Sequence, residues 1–166
     1  MRVTLTPHPT TPGPDVILTV ETARHGERLW LRYVVDGDVD GVEWPAPAAG
    51  RADDLWRHTC FEVFVRTADG YREFNLSPSG QWASYRFDGY RAGMAQAAET
   101  AEPPLLDAGA DYLGLETVID LPPGANALGL SAVIEEVGGR ISYWASAHPS
   151  DKPDFHHPDS FVLDLP

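Results

Sequence analysis

Cysteine is almost missing from this 166-residue chain: Cys60 stands alone, so no internal disulfide can form and no CxxC or zinc-finger spacing exists. Set between Thr59 and Phe61 in an apolar run, it reads as an inert core thiol rather than a nucleophile. Lysine is equally scarce, with Lys152 the single example beside eleven arginines. Against 25 acids these 12 bases leave a net charge of −13, the wrong sign for a partner held through its phosphates. Nucleic acid is excluded on that ground. No apolar run approaches membrane-spanning length, and MRVTLTPHPTTPG at the N-terminus carries no signal-peptide core. A cytoplasmic protein with no membrane partner is the expectation.

Catalytic signatures are missing as well. The chain has no HExxH, no GxSxG elbow, no P-loop and no GxGxxG. Ser77 and Ser79 sit in a turn without an evident His–Asp relay. An acid pair for glycoside hydrolysis, such as Glu62 with Glu73, is one of dozens the composition allows. No catalytic residue is assigned, and a hydrolase or isomerase using Glu62 as base remains only the alternative.

What the chain does have is alternation. Apolar residues recur at every second position in Val16–Glu21, Leu29–Val35 and Phe61–Arg66, after which Tyr71–Leu76 reads as a returning strand and Trp82–Phe87 as the next. Further strands fit Tyr112–Leu121, Leu128–Glu136, Arg140–Ala147 and Ser160–Leu165. Turn signals separate them about every 8–12 residues, among them Pro12-Gly13-Pro14, Asp36-Gly37, Asp69-Gly70 and Ser77-Pro78-Ser79-Gly80. Fifteen glycines and fifteen prolines punctuate these runs rather than forming a linker. Pro45 to Arg51 reads as a loop, and Ala92 to Ala101 as a short strand or irregular crossing. The pattern predicts an all-β, single-domain antiparallel β-sandwich over residues 1–166. At this length such a domain buries roughly 70% of its unfolded surface and needs no covalent staples.

Five tryptophans give the chain large flat rings that either fill a core or stand exposed as stacking platforms. Trp56, beside polar Arg57 and His58 at a loop-to-strand junction, is a candidate for a binding face. So is Trp82, just after the Ser-Pro-Ser-Gly turn. Trp144, next to Tyr143, fits either face of its strand. Glu62 lies inside an apolar strand, where it is either an outward residue or a carboxylate accepting hydrogen bonds from ligand hydroxyls. Asn75 is also mid-strand, with Arg57, Arg72 and Arg86 as forked donors nearby. The segment 148–158 holds three of six histidines, but its prolines make it a rigid loop, and extended His156 and His157 would point to opposite sides. No metal site is assigned there.

LWRHTCFEVFV at 55–65, YREFNLSPSGQWASYRFDGY at 71–90 and YWASAHPSDKPDFHHPDSFVLDL at 143–165 together resemble the bacterial DOMON-like domains related to family 9 carbohydrate-binding modules. The motif is a Trp, a Glu six residues later in a strand, and a hairpin returning through an N-x-S-P-x-G turn: Trp56, Glu62, and Asn75 to Gly80. The resemblance implies a jelly-roll-like sandwich whose concave face binds sugars or haem. In the sugar-binding relatives two Trp rings clamp a sugar while acids, amides and Arg fix its hydroxyls. Here that implies Trp56 and Trp144 as the clamp with Trp82 in reserve, polar contacts from Glu62, Asn75 and Arg57, and the 148–158 loop with His148 as the wall. In the haem-binding relatives a Met with a Lys or His ligates iron, for which this chain offers Met94, Lys152 and His148. The expectation is a non-catalytic binder of a small carbohydrate-like ligand with no cofactor. Haem, a structural calcium among the Asp-containing turns, or a pure protein-interaction role are the alternatives.

Overall fold

Alternating apolar residues demand a sheet with one face turned to a core, and two such sheets stack here. The computed structural model describes residues 1–165. One sheet has the order β1 (Arg2–Pro7), β2 (Val16–His25), β3 (Arg28–Gly37), β9 (Tyr112–Asp120) and β8 (Leu105–Ala108). The other runs β7 (Ala95–Gln96), β6 (Trp82–Phe87), β5 (Gly70–Leu76), β4 (Cys60–Thr67), β10 (Ala127–Glu135) and β11 (Ile141–Ala145). The short β12 (Leu163–Asp164) adds to β10 at Ala127 and Leu128. Every strand pair is antiparallel. Strand β1 stitches the sheets together, pairing with β2 through Arg2–Leu5 and with β11 through Thr6 and Pro7.

Between the sheets lies the main core. Leu18, Val20, Leu31, Tyr33 and Val35 from the first sheet meet Phe61, Val63, Val65, Phe74, Leu130 and Ile134 from the second. The rings of Tyr33 and Phe61 approach to 4.8 Å between centroids. Each such side chain contributes roughly 1.5–3 kcal/mol on leaving water, and together they hold the layers face to face.

The second sheet is unusual in being covered on its outer face too. Phe64, Tyr71, Tyr85, Phe87 and Phe161 form a separate buried cluster there, with Phe155 packed against it. Tyr71 stacks on Phe87 at 4.7 Å and 8°, and the edge of His156 meets Phe64 at 5.1 Å. The segment after β11 therefore folds back over the sheet. This is why Cys60 to Val65 is buried at every position, on both faces of β4.

Most expected strands fall where alternation placed them, and the differences have local causes. β1 and β8 are additional strands, short and flanked by proline. Ser160–Leu165 is mostly not a strand: Pro158–Ser160 forms a 3-10 turn and only Leu163–Asp164 pairs. Proline at the start of that turn lacks the N–H a ladder needs. The β4–β5 hairpin turns through Ala68 and Asp69, with Gly70 paired to Thr67. A Cβ at Gly70, whose φ is +130°, would lie 2.0 Å from the Phe87 carbonyl oxygen, so glycine is required there.

Candidate functional site

The double cover of the second sheet is incomplete. Between its outer face and the returning segment a cavity of about 660 Å³ opens. Its floor comes from β4 and β5, whose register puts Glu62 directly opposite Asn75 and Phe64 opposite Glu73. Since side chains alternate along a strand, Glu62, Glu73 and Asn75 share that outer face. Ser131, opposite Glu62 on β10, joins them. The walls are aromatic, with Trp56, Phe87, Tyr143 and Phe155, while Lys152 and Arg91 reach the same space.

Both acids on the floor are buried, Glu62 with 3% and Glu73 with 6% of its surface exposed. Glu73 Oε1 accepts from Asn75 Nδ2 at 2.9 Å, and Glu62 Oε2 accepts a long 3.5 Å bond from the Ser131 hydroxyl. Loss of water pushes the Glu62 carboxyl well above its usual range, and the negative charge of Glu73 pushes it further. Burial likewise raises Glu73 to about 7, against the opposing pull of Asn75 and Arg91. The side-chain oxygen of Asn75 is buried with no hydrogen-bond partner among the described residues. A protonated Glu62 carries an O–H that the carboxylate lacks, and an unpaired acceptor opposite it in register favours that acid form.

A second layer of polar contacts steadies this floor. Burial, and then the charge of Arg91, lower the His156 imidazole to about 4, so the ring is neutral near pH 7. The backbone N–H of Arg91 donates to the Tyr71 oxygen at 3.3 Å, leaving the tyrosine O–H for His156 Nδ1 at 2.7 Å. The remaining ring proton then belongs on Nε2, which faces Glu73 Oε2 at 3.7 Å. Asp154 holds Arg91 at 2.7 Å and accepts from the Tyr90 hydroxyl at 2.6 Å. Asp154 is itself kept below the ordinary carboxylate range: those hydrogen bonds outweigh the desolvation that opposes them.

Of the residues singled out in the sequence, Trp56 and Glu62 line the cavity. Trp56 sits on a 3-10 turn, Leu55–Arg57, with 46% of its surface exposed. Asn75 lies in the floor behind Glu73 rather than on the open surface. Arg57 lies outside the lining, its guanidinium 5.4 Å from the Trp56 ring and 3.3 Å from Asp54.

Three assignments need correction. Trp144 is 4% exposed and belongs to the core between the sheets, its Nε1–H donating to Ser142 Oγ at 2.9 Å. It pairs with core-facing Ala132, whereas its neighbour Tyr143 pairs with Val133 and lines the cavity. A shift of one residue moves a side chain to the other face. Trp82 has the same parity problem: it pairs with core-facing Leu76, packs against the main core, and carries Arg51 at 5.3 Å over its ring. His148 is tied elsewhere, through Nε2 to the Thr6 carbonyl at 2.7 Å and edge-on to His8.

Sequence reasoning passed over Glu73 and Tyr143 as site members, whereas Phe155 and His156 belong to the 148–158 loop expected as a wall. For Glu73 a signal existed, since it is two residues from Asn75 and shares its face. Met94 and Lys152, named as haem ligands, both line the cavity. Among the described residues no group of three or more His, Cys, Asp or Glu side chains is placed to hold a metal ion.

The architecture is that of an antiparallel β-sandwich, and a solved structure shares it. A protein from Bacteroides uniformis ATCC 8492, provisionally described as carbohydrate-binding, superposes with a TM-score of 0.57 at 17% identity. That match covers 96% of this chain and 84% of the other. A family 9 carbohydrate-binding module from Caldicellulosiruptor kristjanssonii in complex with glucose gives a TM-score of 0.48 at 10% identity, over 81% and 69% of the two chains. No protein-family model matches the sequence, and no curated protein does either.

Proposed function

We propose that this protein is a non-catalytic binder of a small carbohydrate-like ligand, taken up in the cavity on the outer face of the second sheet. The observation that carries the reading is the cavity itself. A sheet face otherwise sealed by aromatic packing stays open where a half-exposed tryptophan stands over buried hydrogen-bonding groups. Sugars present an apolar ring face and a rim of hydroxyls, and this site offers a matching pair of surfaces. Trp56 stacks on the ring, with Tyr143 and Phe155 as the opposing wall. Glu62, Glu73, Lys152 and Arg91 meet the hydroxyls. The fold shared with the Bacteroides protein, itself described as carbohydrate-binding, agrees with this reading.

Stacking one ring removes about 60–100 Å² of apolar area from water, worth roughly 1.5–2.5 kcal/mol. With a few polar contacts, and less the cost of association, affinity falls at about micromolar to millimolar. Titration calorimetry against mono- and disaccharides tests it. Saturable binding that Trp56→Ala weakens about tenfold, with the sugar recovered unchanged, is the expected result. Unaltered affinity in that variant would remove Trp56 from the site.

One observation favours a second reading. Met94 and Lys152 line the same cavity, and a Met with a Lys is one of the ligand pairs implied by the resemblance to haem-binding relatives. Under this reading reconstitution with haem gives a Soret band that Met94→Ala abolishes. Absence of any such band eliminates it.

A further inference from the structure

The floor of the cavity is short of positive charge. Glu62 and Glu73 lie on adjacent strands, both more than nine-tenths buried, and neither forms an ion pair with an arginine or lysine among the described residues. Arg91, the nearest arginine in the lining, is bound to Asp154, and Arg72 to Glu99. His156 faces Glu73 without a charge to offer. Among the described residues, Lys152 is the fixed cation on the wall that has no ion pair of its own. With Arg91 held by Asp154, the two floor carboxyls, Glu62 and Glu73, share the cavity with the side chain of Lys152 alone, so ionisation of both acids leaves room for one more positive charge.

The surroundings specify what sort of cation fits. Asn75 Oδ1, buried and without a donor, stands with the two carboxyls on one sheet face, and Asn75 is bonded to Glu73. The two carboxyls at the cavity surface, backed by that amide oxygen, supply the acceptors that the N–H donors of a primary ammonium need. The walls are the aromatic side chains of Trp56, Phe87, Tyr143 and Phe155, a type whose π faces attract cations and favour an organic one. A small hard metal ion would find too few ligands.

We propose that the preferred ligand is an amino sugar in its protonated form, its ammonium group set over Glu62 and Glu73 and its ring against Trp56. This rests on the carbohydrate reading above and narrows it. A neutral sugar leaves the buried acids to hold protons; an ammonium takes the place of a proton and supplies charge-assisted hydrogen bonds in a water-poor site.

Calorimetric titration at neutral pH with glucosamine, N-acetylglucosamine and glucose separates the possibilities. Glucosamine has the charge, N-acetylglucosamine keeps the nitrogen but not the charge, and glucose has neither. The expected result is glucosamine binding about tenfold or more tightly than the other two. Glu62→Gln and Glu73→Gln should each bring the three ligands to within about threefold of one another. The wild-type comparison stands even where a variant folds poorly. If glucose binds as well as glucosamine, the amino-sugar inference is overturned and the carbohydrate reading survives. If none of the three binds, both are overturned. Selectivity that persists in both glutamine variants would overturn the placement of the ammonium.

Discussion

The hydroxyl of Tyr33, in the first sheet, crosses the core to donate a 2.8 Å hydrogen bond to the backbone carbonyl of Glu62 in the second. Tyr33 is fully buried, and its hydroxyl is driven well above the ordinary tyrosine range by burial first and by Glu62 next. The strand that carries the cavity floor is therefore anchored from the sheet behind it. Tyr33→Phe keeps the ring and deletes the bond. It should lower stability by about 1–2 kcal/mol in urea denaturation. It should also weaken ligand binding although it touches no ligand. Unchanged stability would mean the carbonyl is equally well served by the sheet ladder.

The two tryptophans once paired as a clamp should separate cleanly. Trp144→Ala empties a core position and should cost about 3–5 kcal/mol. Trp56→Ala removes a half-exposed ring and should change stability by no more than about 0.5 kcal/mol. Thermal unfolding of both variants measures the contrast. Similar losses would contradict the assignment of Trp144 to the core.

A finer probe of the same packing is Gly13. A Cβ added there would meet the Trp144 ring at 2.4 Å. Gly13→Ala should destabilise by about 1–3 kcal/mol through overpacking, and Trp144→Phe should relieve part of that loss in the double variant. Additive losses would show that the two positions do not touch.

Stability should fall as pH rises toward and beyond neutrality, because the folded state holds Glu62 and Glu73 in a form more protonated than the unfolded chain does. Between the ordinary glutamate range and about 7 for Glu73, the native state binds the extra protons, so ionisation works against it. Glu73→Gln should accordingly stabilise the protein at about pH 8 and have little effect at about pH 5. His156 acts in the opposite sense. Its folded value of about 4 lies below the unfolded one, so its contribution is present above the unfolded pKa and lost as pH falls toward 4. An NMR titration of the imidazole should show a midpoint near about 4; an ordinary histidine midpoint would mean the ring is solvated.

Much of this fold was legible because strands announce themselves by alternation, and Val16–Val20, Leu29–Val35 and Phe61–Val65 did so. What alternation cannot supply is parity. Tyr143 and Trp144 are equally aromatic, and only the pairing of β11 with β10 decides which of them enters the core. Trp82 went astray for the same reason. Glu62 was legible as an anomaly, an acid inside an apolar strand, yet its burial came from elsewhere. His156, Phe155 and Phe161 cover it from a proline-rich segment nearly a hundred residues along the chain. A long-range contact of that kind leaves no periodic trace: the 148–158 loop was expected as a wall only through the family resemblance, and the sheet face it covers had to be seen in three dimensions.

The central claim is that ligand enters on the outer face of the second sheet, at Trp56, and not between the sheets. Five tryptophans give five indole N–H resonances, and single Trp→Phe variants assign them. In a titration with glucosamine or glucose, the account predicts that the Trp56 indole shifts saturably. The Trp144 indole, bonded to Ser142 in the core, should stay in place. A saturable shift at Trp144 or Trp82 with Trp56 unmoved would contradict it.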